Sequence, residues 1–143
     1  MKKLMFIIVL AFISWGVSAQ SYIGAAKCKM CHNSVTKGAQ YTKWKETKHA
    51  NAWSVLSETE KNNSECVSCH STAANIQSDG VSCESCHGAG SVYKSMTIMK
   101  DREKSLANGL TLPSKEVCEK CHNDKSPHFK GFDYEKAKIL ITH

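Results

Sequence analysis

Gly80-Val81-Ser82-Cys83-Glu84-Ser85-Cys86-His87-Gly88 is the stretch on which the fold turns. Its centre, Cys83-Glu84-Ser85-Cys86-His87, is a Cys-x-x-Cys-His motif, and the same pattern occurs three more times. Upstream lie Cys28-Lys29-Met30-Cys31-His32 and Cys66-Val67-Ser68-Cys69-His70; downstream lies Cys118-Glu119-Lys120-Cys121-His122. Successive first cysteines are 38, 17 and 35 residues apart, and the four motifs contain all eight cysteines of the 143-residue chain.

Three chemistries use cysteines in this way. A disulfide framework is common in small exported domains. Zinc sites combine two Cys-x-x-Cys pairs. Neither asks for a histidine directly after the second cysteine. With 7 histidines in the chain, four such placements by chance are on the order of one in a hundred thousand on compositional grounds. Covalent haem does require that histidine. The two cysteines add to the porphyrin vinyl groups as thioethers, and the following imidazole ligates iron. The motifs therefore predict four haem c groups, held by Cys28 and Cys31, Cys66 and Cys69, Cys83 and Cys86, and Cys118 and Cys121. His32, His70, His87 and His122 are the expected proximal ligands, and no cysteine remains for a disulfide.

Residues 1–19 read as a secretory leader. Lys2 and Lys3 precede an apolar run over 4–15, and Val17-Ser18-Ala19 offers a small-residue cleavage site. The run is short for a bilayer span. The expected mature chain, 20–143, is thus one exported tetrahaem domain, periplasmic and without stable membrane insertion, though open to membrane association through a partner. Its Leu, Ile, Val and Phe total 18 of 124 residues, about 15%, below the roughly 20% at which chains usually build a core. Four porphyrins at 31 residues each supply the missing apolar matter. The formal charge of +6 falls to +4 without Lys2 and Lys3. Haem propionates then bring the holoprotein near neutrality, so the basic pI gives no ground for nucleic-acid binding. No Gly-rich phosphate loop is present, which argues against a nucleotide-dependent enzyme.

The expected fold is all-α and loop-rich, with little or no strand: a compact multihaem cytochrome c wrapped around its haems. Tyr41, Trp44, Ala52, Val55 and Leu56 predict a helix over 34–56. Ser57-x-x-Glu60 has the form of a capping box. A second helix is expected over 91–106, with Val92, Met96, Met99 and Leu106 on one stripe and Asn108-Gly109 as its stop. Pro113-Ser114 opens a short helix for the fourth motif, and Asp133 caps a last one ending near Thr142.

Each iron has a second axial position. Outside the motifs stand only His49, His128 and His143, so three histidines face four haems. His49, beside Ala50 and Ala52, and His143, after Ile139-Leu140-Ile141, are the leading distal candidates. His128 is weaker, and Met96 and Met99 are the candidates for a His/Met haem, with packing on porphyrin as the alternative. Met30, inside its own motif, is badly placed to reach the far side of that haem.

The order Cys28…His32, Trp44…His49-Ala50…Ala52, Cys66…His70, Gly80-Val81-Ser82-Cys83-Glu84-Ser85-Cys86-His87-Gly88-Ala89-Gly90, Cys118…His122, with Ser126-Pro127…Phe132-Asp133…Ile141-Thr142-His143 after it, resembles the tetrahaem cytochrome c-554 family. The resemblance implies an all-α fold with closely stacked haem pairs and periplasmic electron transfer, with a hydroxylamine-oxidising donor or related nitrogen-cycle chemistry. It also implies that His49 ligates the fourth haem and His143 the third, and that the second haem, at His70, is five-coordinate and open to a small ligand such as nitric oxide. The chain departs from the family after the third motif. The family carries a histidine for the first haem there, whereas this chain has Ser91-Val92-Tyr93-Lys94-Ser95-Met96. Met96, Met99 or His128 then replaces it, or the first haem is open as well.

The functional expectation is an electron-transfer protein working between redox partners, a carrier rather than an enzyme. The alternative is a small haem enzyme or nitric-oxide-binding protein that reduces a nitrogen oxide at the His70 haem, with Glu84, Tyr93 or His128 as proton donor. Lys-rich 43–48 offers cations for an acidic partner.

Overall fold

A computed structural model describes residues 19–143. The expected leader lies outside the described residues except for Ala19. Within them the chain forms short helices joined by turns: α1 (Ala25–His32), α2 (Gln40–Lys45), α3 (Glu58–Lys61), α4 (Ser64–His70), α5 (Cys83–His87), α6 (Met96–Met99), α7 (Arg102–Ala107), α8 (Lys115–Glu119) and α9 (Tyr134–Ile141). No strand occurs among the described residues, and the fold is all-α. No helix is long and apolar enough to cross a membrane.

None of these helices exceeds eight residues, and isolated helices of that length are not stable in water. Tertiary packing must hold them, yet little apolar packing is present. The buried hydrophobic residues among those described are Ala25, Trp44, Ala50, Leu56 and Tyr93. Ala25, Trp44 and Ala50 form one cluster, edged by Tyr41 and Cys83. The aliphatic side chains are instead often exposed, Met30 at 79% and Val35 at 86%.

Local signals place the helix ends well. Ser57 and Glu60 close a full capping box on α3: the Ser57 N–H donates to Glu60 Oε2 at 2.8 Å, and the Glu60 N–H to Ser57 Oγ at 3.3 Å. Asp133 caps α9 by accepting the Lys136 N–H at 3.2 Å. Asn108 ends α7, with Gly109 beyond it at φ +95°. Ser114 precedes α8.

The two long helices expected from periodicity do not form. Residues 34–56 divide into a 3-10 turn at Val35–Lys37, α2, and successive turns over 46–56. Gly38 at φ +96° ends the first piece. After Lys45, Thr47 Oγ1 donates back to the Trp44 carbonyl at 2.7 Å and Ser54 Oγ to the Asn51 carbonyl at 2.8 Å. Such side-chain bonds offer the backbone an alternative to the helix. Residues 91–106 likewise break at Asp101, which stops α6 and caps α7. The expected apolar turn at the C-terminus is split: Ile139 and Leu140 are 72% and 80% exposed, and Ile141 turns inward.

Candidate functional site

Three motif helices end on their motif histidine: α1 on His32, α4 on His70 and α5 on His87. In the fourth motif α8 stops at Glu119, but a further turn carries Cys121 and His122, each donating its N–H to the Cys118 carbonyl. Each motif is thus about one helical turn, which sets its two thiols and its imidazole on neighbouring sides.

The third motif is the anchor of the whole. Glu84, 1% exposed, accepts the backbone N–H groups of Ile23 (3.0 Å), Gly24 (2.8 Å) and Gly90 (2.7 Å). Asp79 accepts the Ala25 N–H at 2.8 Å. The two carboxylates satisfy the free donors at the start of α1, where negative charge is favoured, and so lock the first motif onto the third. Thr72, just past the second motif, accepts the Ser82 N–H at 2.7 Å and lies 2.7 Å from the Ser85 hydroxyl. The loop around His49 docks on the same segment. The Val81 N–H donates to the His49 carbonyl at 2.9 Å, and Trp44 Nε1 donates to the Val81 carbonyl at 2.9 Å. At Gly80, φ +63°, a Cβ would stand 2.6 Å from the His49 carbonyl oxygen, so only glycine permits this approach.

The motifs meet in pairs. α1 packs on α5, and the Cys28 and Cys83 thiols face one another, which lowers the Cys28 pKa and raises that of Cys83. Burial pushes the Cys121 thiol up to about 12, with Cys69 beside it adding to the effect. Cys121 Sγ also lies 4.0 Å from the Ser68 carbonyl. Burial raises Cys86 as well, with Cys118 nearby. The first motif thus adjoins the third, the third adjoins the fourth, and the second touches both the third, through Thr72, and the fourth.

The histidines meet in pairs too. The His49 and His122 ring centroids are 6.0 Å apart and those of His87 and His143 6.2 Å, each pair edge to face. Phe132 stacks on the His122 ring at 4.7 Å and fixes its plane. Burial lowers the His49 pKa, and His122 adds to this; burial also lowers that of His87, against the Thr111 carbonyl. Lowered values keep these imidazoles neutral, the form that binds metal. Carbonyl oxygens face Nδ1 of three rings: Ala52 at 2.7 Å from His70, Thr111 at 3.2 Å from His87, and Ile141 at 2.9 Å from His143. A carbonyl only accepts, so in these rings Nδ1 carries the proton and Nε2 is the free donor atom.

Two open clefts flank the motifs. One, of about 370 Å³, is bordered by Cys83, Cys86, His87, His143, His49 and Ile141. The other, of about 410 Å³, is bordered by Cys28, Cys31, His32, Tyr93, Lys94 and Met99. Among the described residues no histidine ring pairs with His32 or His70.

Several expected residues stand elsewhere. Both Glu84 oxygens are taken by backbone N–H groups, and the buried Tyr93 hydroxyl donates to the Gly88 carbonyl at 2.7 Å. Both side chains are thus engaged in structural hydrogen bonds. His128 is exposed on the turn after the fourth motif, near Glu60. Met96 is 53% exposed; neither it nor His128 borders the His32 cleft. Sequence reasoning missed Phe132 and Thr72. The aromatic close to the fourth motif was the one available signal for Phe132, and nothing marked Thr72.

The donor set fits haem. Among the described residues no three His, Cys, Asp or Glu side chains converge as in a zinc centre; the imidazoles oppose one another in twos. A metal about 2 Å from one nitrogen of each ring, with roughly 1 Å from nitrogen to centroid, sets centroids roughly 6 Å apart, close to the spacing of both pairs.

A family model described as cytochrome c554 and c-prime matches residues 27–88, the stretch that holds the first three motifs. No curated protein and no solved structure matches the chain. Fold, motifs and family match together support a c-type cytochrome. Covalent haem c and electron transfer are properties of that class.

Proposed function

We propose that the protein is an exported, periplasmic tetrahaem cytochrome that carries electrons between redox partners. The observation that carries the proposal is the packing of the four motifs against one another, with two of their histidines each opposed by a second histidine about 6 Å away. Haem iron supplies reversible one-electron exchange, at a potential tuned by axial ligand, burial and nearby charge. The chain's own residues do the rest. The cysteine pairs fix each group covalently. His32, His70, His87 and His122 present the proximal nitrogens, while His49 and His143 close the far sides at His122 and His87. The carbonyls of Ala52 and Thr111 hold the proton on Nδ1 of His70 and His87 and so aim Nε2. Coulometric reduction of the purified protein is expected to take up four electrons per chain; uptake of one or two would contradict the proposal.

A second reading rests on His70, which no histidine ring opposes: a haem there that binds nitric oxide or reduces a nitrogen oxide. Low-temperature EPR of the ferric protein separates the two. A high-spin signal that nitric oxide abolishes favours the second reading. A wholly low-spin spectrum indifferent to nitric oxide removes it.

A further inference from the structure

His32 is the other motif histidine without an opposing ring, and its surroundings differ from those of His70. The cleft beside it is bordered by Cys28, Cys31, His32, Tyr93, Lys94 and Met99. Met99 ends α6 and is half-buried, while Met96, at the start of the same helix, is 53% exposed and outside the cleft. The Met99 sulfur lies against Ser105. Ser105, 1% exposed, lies with its hydroxyl 3.8 Å from Met99 Sδ, 3.0 Å from the Ile98 carbonyl and 2.9 Å from the Asp101 carbonyl. These contacts tie the end of α6 to α7. A thioether sulfur is a weak acceptor with two lone pairs, and Ser105 engages at most one. Lys94 also borders the cleft, but an ammonium must shed a proton before it binds iron and a thioether need not.

We propose that Met99 supplies the sixth ligand to the haem held by Cys28, Cys31 and His32. The assignment rests on the haem reading of the motifs. Coordination adds one sulfur–iron bond and moves no proton or electron. Thioether is a soft ligand that favours ferrous iron and raises the potential above that of a bis-histidine haem.

The test uses the holoprotein with its haems counted by pyridine haemochrome. Near-infrared magnetic circular dichroism of the ferric protein is expected to show a thioether–iron charge-transfer band equal to one haem. Met99→Leu is expected to abolish the band, and Met96→Leu to leave it intact. Met99→His is expected to stay low-spin while one of the four potentials falls. Four haems with no such band in the unmodified protein, or a band that persists in Met99→Leu, overturns the assignment alone. A haem count below four overturns the reading of the motifs and this assignment with it. Should Met99→Leu fail to mature, Met99→His decides: four unchanged potentials overturn the proposal, and the lowering of one supports it.

Discussion

Glu84 occupies one of the two variable positions between the cysteines of the third motif, where haem attachment asks for no particular side chain. The fold nonetheless makes it the most buried carboxylate among the described residues, bonded to the N–H groups of residues 23, 24 and 90. Removing it leaves three buried donors without a partner. Hydrogen bonds to charged groups contribute about 1.5–3 kcal/mol each, so Glu84→Ala is expected to cost roughly 3 kcal/mol or more after partial relaxation. Glu84→Gln, which keeps one acceptor oxygen, is expected to cost less. Thermal unfolding of the loaded protein checks both, and equal melting temperatures for all three forms would contradict the role. The sequence marked the cysteines and motif histidines because covalent chemistry fixes their spacing. It offered Glu84 only as a proton donor and did not mark Thr72; the partners of both are backbone groups and hydroxyls brought near only by the tertiary fold.

At the scale of elements, caps were legible and helix lengths were not. Ser57, Asp133 and Asn108-Gly109 act within a few residues of themselves, and all three end or begin helices as their chemistry dictates. Residues 34–56 and 91–106 show helical spacing, but their backbones bind other segments: the His49 carbonyl takes the Val81 N–H, and the Ser91 N–H goes to the Ser21 carbonyl. Periodicity reports which residues face inward and is silent on such competition. Asp133 shows how an element serves the site, since α9 leads directly to His143. The Lys136 N–H holds the Asp133 carboxyl below its ordinary value of 3.8. The cap therefore contributes fully above that value and is lost as pH falls through the lowered one. Asp133→Ala is expected to fray α9, release His143 from His87 and turn one low-spin haem high-spin in EPR at neutral pH. Asp133→Asn, which still accepts at the cap, is expected to retain the low-spin signal.

For the whole molecule the composition was the best guide. The scarcity of aliphatic residues is matched by a core of a few side chains around Trp44, with clefts of about 370 and 410 Å³ beside the third and first motifs. A chain with so little apolar burial does not offset its ordering entropy unaided. Protein produced without the haem-attachment machinery is accordingly expected to lack helical circular dichroism and a cooperative melt, and a folded haem-free chain would contradict this. Which motifs touch could not be read from their order along the chain, because Glu84 and Thr72, which tie the first and second motifs to the third, act through backbone groups and hydroxyls distant in sequence. The central claim is that four haems replace the missing core. A pyridine haemochrome assay on the purified protein, referred to chain concentration from amino-acid analysis, tests it most directly: four haems per chain are predicted, and three or fewer would contradict the account.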